Sequence, residues 1–170
     1  MRKLTIDNLF SDLTQWAAAE AVALNEVVSF SKNGGWEQWC VVQFLRWQLH
    51  QGNAAQGLNF EREWNAPGRR YDIAYNTATE ADVNNYPIIL TQWKAMKDGI
   101  SYDVFGDIGT LTEIEKHMRS LNRTWQPVIV GLTLRRAEFP GAKALPNIPA
   151  SNVQLFVSSD ATWQPFRNAL

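Results

Sequence analysis

Two short segments of the sequence place an aspartate and a lysine on neighbouring predicted strands: Asp72 in GRRYDIAY and Lys94 in PIILTQWKAM. Side chains alternate between the two faces of a strand, so Arg70, Asp72 and Ala74 are expected on one face of the first. Gln92 and Lys94 are expected on one face of the second. If these faces match, Asp72, Gln92 and Lys94 converge. The group is then either a metal-dependent active site or an ordinary set of polar side chains on a sheet.

The surrounding sequence predicts the elements that position these residues. Helical periodicity and strand alternation indicate three helices, which run from Ile6 to about Phe30, from about Trp36 to His50, and from about Asp103 to Leu121. The predicted strands are LNFEREW, RRYDIAY, residues 87–96, residues 127–134 and VQLFVSS. The first two strands form a hairpin around the turn NAPG. The order helix, three strands, helix, strand, after an extra N-terminal helix, predicts an α/β fold with a mixed sheet.

Length, charge and hydropathy limit the classes of protein. A chain of 170 residues is long enough for one substantial core and short for two, so residues 1–170 are expected to form a single domain. The net charge of −1 gives no overall attraction to nucleic acid, so phosphate binding would depend on local clusters of Arg and Lys. The sequence shows no signal segment and no apolar run of membrane-spanning length. We therefore expect a cytosolic protein with no membrane partner.

Cysteine and histidine usage argues against several common kinds of metal and catalytic site. The single cysteine, Cys40, lies in an apolar helical segment, so it is expected in the core and has no partner for a disulfide or a Cys-based zinc site. His50 and His117 are the only histidines and lie far apart in the sequence. A His-rich metal site and a Ser-His-Asp triad are both poorly supported.

The order of elements and the two segments resemble the PD-(D/E)xK nuclease superfamily, which has the restriction-endonuclease-like fold. In that superfamily the active site uses an Asp on the second strand of the core and an acid-x-Lys motif on the third. Here Tyr71-Asp72 stands where the superfamily has Pro-Asp, and Gln92-Trp93-Lys94 stands where it has Glu-x-Lys. The resemblance extends from the second predicted helix to the fourth strand. It implies an αβββαβ core with a mixed central sheet flanked by helices.

The resemblance implies a metal-dependent nuclease that hydrolyses the phosphodiester bonds of DNA. Mg²⁺ or Mn²⁺ would be held by Asp72 as the principal ligand, with Gln92, and with Glu37 from the helix before the sheet. Lys94 would orient or help to deprotonate the attacking water and offset charge in the transition state. Neighbouring phosphates would be held by three cations, Arg69, Arg70 and Lys97.

Gln92 departs from the superfamily pattern, which has a carboxylate at this position. An amide oxygen can coordinate Mg²⁺ but carries no charge, so metal affinity is expected to be lower. One alternative is that another carboxylate compensates; the nearest candidates are Glu37, Glu61 and Glu63. The other is a catalytically inactive protein of the same fold that acts as an immunity or regulatory module and binds a protein partner. Both alternatives leave a homodimer open.

Each candidate residue also has a purely structural interpretation. Asp72 could form a surface ion pair with Arg70, and Lys94 could protect a sheet edge from aggregation. The Ile-Ile-Leu start of the lysine strand instead favours a central position, where an inward lysine needs a partner. Glu37 is equally well explained by the favourable placement of an acid in the first turn of a helix.

Overall fold

The computed structural model describes residues 3–30, 36–51, 57–66, 69–78, 86–96, 111–134, 143–146 and 151–159. These residues form the helices α1 (Ile6–Ala19), α2 (Ala21–Phe30), α3 (Glu37–His50) and α4 (Leu111–Ser120). They also form the strands β1 (Phe60–Ala66), β2 (Arg69–Tyr75), β3 (Ile88–Met96), β4 (Trp125–Leu134), β5 (Lys143–Ala144) and β6 (Val153–Ser159). Within these residues, no helix is long and apolar enough to cross a membrane. The protein is mixed α/β, as the sequence predicts.

The strands form one six-stranded mixed sheet in the order β1-β2-β3-β4-β6-β5. β1 and β2 form the predicted antiparallel hairpin, and β2 pairs antiparallel with β3. β3 and β4 are parallel, from the pair Ile88↔Trp125 to the pair Met96↔Thr133. Parallel neighbours need a crossover connection, and α4 lies in the segment that joins these two strands. β3 is therefore central, as its Ile-Ile-Leu start predicts.

Helices pack on both faces of the sheet. On the first face, the buried side chains of α1, α2 and α3 meet the sheet, and the ring of Trp93 lies 5.9 Å from that of Trp16 and 5.3 Å from that of Phe44. On the second face, Leu90 belongs to a smaller buried cluster with Met118 of α4. Strand alternation explains the division, because Trp93 and Leu90 are an odd number of residues apart on β3.

A buried polar network fixes α3 against α1 and β2. The amide of Gln48 donates to Asp12 Oδ2 at 2.9 Å, and the hydroxyl of Tyr75 donates to Gln48 Oε1 at 3.0 Å. All three side chains are buried, and a buried polar group without a partner costs about 1–3 kcal/mol. The network therefore selects one placement of α3 on the sheet, which also fixes where the first turn of α3 lies relative to β2.

Local details at the ends of elements differ from the predictions. The predicted first helix is divided at Glu20, whose φ of −101° and ψ of 18° depart from helical values. Between β4 and β6, where no strand is predicted, the chain forms the short edge strand β5. After α3, Gln51 is extended. Residues 103–110 of the predicted third helix lie outside the described residues. The apolar pattern of the sequence continues across Glu20, so the pattern does not show the break between α1 and α2.

Phe44→Ala is expected to destabilise the protein by about 3–5 kcal/mol, because it removes a fully buried ring that contacts Trp16 and Trp93. Phe30→Ala is the matched control. Phe30 ends α2 with 83% of its surface exposed, so its loss should change stability by no more than about 0.5 kcal/mol. Urea unfolding followed by tryptophan fluorescence measures both effects. Equal losses in the two variants would contradict the assignment of the core to the first face.

Candidate functional site

In the middle of the hairpin, the side chains of β1 and of β2 each change from one face of the sheet to the other. Residues four apart on a regular strand share a face. On β1, however, Phe60 packs with the first-face cluster and Trp64 with the second-face cluster. On β2, Tyr75 belongs to the first-face cluster and Tyr71 to the second. Both strands therefore turn over at the same level of the hairpin.

The reversal lies between the pairs Arg62↔Ile73 and Trp64↔Tyr71, in the interval that contains Glu63 and Asp72. Glu63 has a φ of 52°, in the left-handed region that a residue with a side chain enters at a cost of about 1–2 kcal/mol. β2 turns together with β1 because the two strands are hydrogen-bonded. The prediction that Arg70, Asp72 and Ala74 share one face was therefore wrong, since Ala74 lies in the same cluster as Tyr71.

Asp72 lies where β2 separates from β3. The pairing between the two strands extends as far as Ile73↔Thr91. Beyond this pair, the backbone N–H of Trp93 donates to Asp72 Oδ2 at 2.7 Å, where a continued ladder would offer a backbone carbonyl. The carboxylate thus satisfies a backbone donor of β3 while β2 turns away. A buried N–H without an acceptor would cost about 1–3 kcal/mol.

Opposing effects act on the ionisation of Asp72. Burial is the largest and raises its pKa above the ordinary value, because removing a carboxylate from water disfavours the charged form. Four groups act in the other direction and favour the charged form, in decreasing order: the N–H of Trp93, the charge of Lys94, a hydrogen bond from Gln38 and the charge of Arg70. Burial prevails. Carboxylates held in this way are concentrated at functional sites.

Two arginines are held near Asp72 by neighbouring side chains. Arg62 Nη2 donates to Gln38 Oε1 at 3.2 Å, and Gln38 in turn hydrogen-bonds to Asp72. Arg70 Nη1 forms an ion pair with Glu63 Oε2 at 3.4 Å, and the two side chains are 65% and 51% exposed. Exposed ion pairs contribute only about 0–1 kcal/mol. An anionic ligand can therefore compete with Glu63 for Arg70.

Gln92 and Lys94 lie on either side of Trp93 in β3 and are both half-buried. Because Trp93 packs on the first face, alternation directs Gln92 and Lys94 to the second face. The charge of Lys94 acts on Asp72 and lowers its pKa against the larger effect of burial. The aspartate and the lysine singled out in the sequence are therefore within electrostatic reach of each other.

Glu37 lies in the first turn of α3 and is half-buried. Burial, and then the charge of Glu37, raise the pKa of the Cys40 thiol. Cys40 is fully buried, as predicted. The helix that carries Glu37 packs on the first face of the sheet.

Of the predicted phosphate-binding residues, Arg70 is the one whose side chain the structure describes. The backbone of Arg69 begins β2, but its side chain is not among those described, and Lys97 lies outside the described residues. The alternative carboxylates Glu61 and Glu63 are exposed on β1. Arg70, the member of this group whose side chain is described, lies within electrostatic reach of Asp72.

The described residues include no group of three or more His, Cys, Asp or Glu side chains that could hold a metal ion. The predicted ligand set is of another kind, because it combines the carboxylates of Asp72 and Glu37 with the amide oxygen of Gln92. A carboxylate has about four acceptor positions, of which Trp93 N–H and Gln38 use two on Asp72. Hard oxygen donors completed by several waters are the ligands that Mg²⁺ takes. Asp72 and Gln92 offer oxygen donors of this chemical type.

The sequence does not single out Gln38 or Arg62. Gln38 follows Glu37 in the chain and so lies about 100° further around α3. Arg62 has the same parity as Phe60 and Trp64, so a charged residue there interrupts the apolar alternation of LNFEREW. That interruption, and the place of Gln38 in the first turn of a helix, are the local signals. The contact between the two side chains depends on how α3 packs beside the hairpin, which the sequence pattern does not show.

Comparison with protein-family models, with curated proteins and with solved structures finds no match to this chain. Its function has therefore to be inferred from the residues around Asp72.

Asp72→Asn should stabilise the protein at neutral pH. The pKa of Asp72 is higher in the folded state than in the unfolded state, so the folded state binds more protons between the two values. Stability therefore falls as pH rises through this window and stays low above it. Asparagine keeps an oxygen acceptor for the N–H of Trp93 without the buried charge. In urea unfolding from acidic to neutral pH, the advantage of the variant should grow across the window; an advantage that shrinks would contradict a raised pKa.

Glu63→Gly should be more stable than Glu63→Ala by about 1 kcal/mol, because glycine adopts a φ of 52° without the steric cost that a Cβ imposes. Both variants lose the ion pair with Arg70, so the difference between them isolates the backbone. A regular strand position gives the opposite order, since glycine is disfavoured there. Chemical denaturation of the two variants measures the difference. An alanine variant that is the more stable of the two would argue against the left-handed conformation.

Proposed function

We propose that this protein is a divalent-metal-dependent nuclease that hydrolyses the phosphodiester bonds of DNA. The observation that carries the proposal is the position of Asp72, which lies where β2 leaves β3 and is within the field of Lys94 and Arg70. Asp72 is a partly buried carboxylate beside cations, and the hairpin carries a residue in a left-handed conformation, Glu63, at the same reversal, so two energetic costs are combined there. Such costs concentrate at functional sites.

The proposal includes the restriction-endonuclease-like fold of the PD-(D/E)xK superfamily. What supports it is the order of elements α3, β1, β2, β3, α4 and β4. The aspartate lies on the second strand of this core and Gln92-Trp93-Lys94 on the third. α1 and α2 precede the core as additions to it.

Each residue has a defined role in this proposal. Mg²⁺ or Mn²⁺ would supply an activated water and neutralise charge at the scissile phosphate. Asp72 and Gln92 would hold the ion through oxygen, with Glu37 as a further carboxylate from the first turn of α3. Lys94 would orient the attacking water and offset charge on the phosphate. Arg70 would bind a neighbouring phosphate of the DNA strand.

A second candidate is a binding module of the same fold, with a protein partner of the immunity or regulatory kind. One observation favours it: Asp72 already accepts hydrogen bonds from the Trp93 N–H and from Gln38. This is a complete structural role for a carboxylate, which would then serve to close the gap between β2 and β3. A cytosolic location and a homodimer are compatible with both candidates and stay predictions.

Gln92→Glu separates the two candidates. In a nuclease whose site is short of negative charge, this variant should bind Mn²⁺ more tightly and cleave plasmid DNA faster at limiting metal. The reason is that an anionic oxygen binds a hard dication far better than an amide oxygen of similar size and position. Lys94→Ala should abolish cleavage. Isothermal titration with Mn²⁺ and metal titration of plasmid cleavage measure these effects.

Gln43→Glu is the matched control for Gln92→Glu, because it makes the same change of amide to carboxylate away from Asp72. Gln43 lies on α3 about 140° around the helix from Gln38, the residue of α3 that contacts Asp72. It should leave cleavage and metal affinity unchanged. If folded wild type and Gln92→Glu both show neither metal binding nor cleavage, the nuclease is excluded and the binding module stands. A loss of cleavage in Gln92→Glu with activity retained in wild type would instead show that Gln92 donates its amide N–H to the substrate.

A further inference from the structure

We propose that Gln38 and Arg62 are positioning residues that hold the Asp72 carboxylate in the orientation in which it accepts the N–H of Trp93. Three hydrogen bonds form a chain. Arg62 Nη2 donates to Gln38 Oε1 at 3.2 Å, Gln38 bonds to Asp72, and the N–H of Trp93 donates to Asp72 Oδ2 at 2.7 Å. The chain joins β1, α3, β2 and β3 around a single carboxylate.

Arg62 decides which way the amide of Gln38 faces. A guanidinium has five N–H donors and no acceptor, so the atom of Gln38 that meets Arg62 is the carbonyl oxygen. The amide nitrogen is then directed away from Arg62 and can donate to the carboxylate of Asp72. Without Arg62, only the carboxylate of Asp72 would favour this orientation, and the amide of Gln38 would be held less firmly.

Two donors fix the carboxylate of Asp72 more firmly than one. Rotation about its Cβ–Cγ bond would break a charge-assisted hydrogen bond to Trp93 or to Gln38. The acceptor positions that remain are therefore held in a constant direction. One consequence rests on the proposed function: if Asp72 ligates a divalent ion, removal of a partner that orients it should weaken metal binding about 10–100-fold.

α3 carries a second glutamine–arginine pair, which provides a matched control. Arg46 Nη1 donates to Gln43 Oε1 at 3.5 Å. Gln43 lies about 140° around the helix from Gln38. Gln43→Ala removes the same amide from the same helix as Gln38→Ala, and Gln43 is not among the groups that act on Asp72. The contrast isolates the contact with Asp72 from the general effect of shortening a glutamine on α3.

The direct test follows the backbone amide of Trp93 by NMR in the metal-free protein. Gln38→Ala and Arg62→Ala should shift the Trp93 amide resonance and speed its exchange with deuterium roughly tenfold, as weakening of a charge-assisted hydrogen bond implies. Gln38→Glu should do the same, because it keeps an acceptor for Arg62 but has no N–H to donate and repels Asp72. Arg62→Lys should restore part of the wild-type behaviour, since lysine also only donates.

Mn²⁺ titration of the same proteins provides the second readout. Gln38→Ala should bind Mn²⁺ about 10–100-fold more weakly than wild type, and Gln43→Ala should match wild type. A Trp93 amide that is the same in wild type, Gln38→Ala and Gln43→Ala would overturn the positioning role. If the Trp93 amide responds to Gln38→Ala but wild type binds no Mn²⁺, the nuclease proposal fails and the positioning role stands, so the two failures are distinguishable.

Discussion

The hydrogen bond from the Trp93 N–H to Asp72 is the constraint on which the centre of this structure depends. The ring of Trp93 is fixed in the core between Trp16 and Phe44, so its backbone cannot shift to find another acceptor. β2 turns away at this level, and a side-chain oxygen has to reach the N–H instead. Aspartate is short enough to do so from the neighbouring strand. The hydrogen bond therefore ties the packing of the core to the position of the candidate site.

The reversal of faces at Glu63 gives the hairpin one aromatic pair on each face of the sheet. The rings of Phe60 and Tyr75 lie 6.5 Å apart on the first face, and those of Trp64 and Tyr71 lie 6.5 Å apart on the second. Regular alternation would place both pairs on one side of the sheet and leave the other layer without them. Burial on both faces offsets the cost of the left-handed residue. The same reversal places the Asp72 side chain between the two faces of the sheet, where it accepts the backbone N–H of Trp93.

The elements could be predicted from sequence patterns more fully than the site. The apolar start of β3 correctly predicted its central place in the sheet. Alternation failed at Asp72 because it assumes regular backbone, and a left-handed φ at a glutamate such as Glu63 has no sequence signal. The contact of Gln38 was equally hidden, since it depends on long-range packing of α3.

Gln92 connects the stability of the fold to the proposed chemistry. A carboxylate at this position would add a like charge near Asp72, whose pKa burial already raises, and would destabilise the folded state in the absence of a cation. An amide avoids this repulsion and keeps an oxygen donor. Under the proposed function, the ion would then bind in a site where the positive charge of Lys94 opposes it. Under the proposed function, the phosphate oxygens of the DNA would supply the missing negative charge, so that metal and substrate bind together.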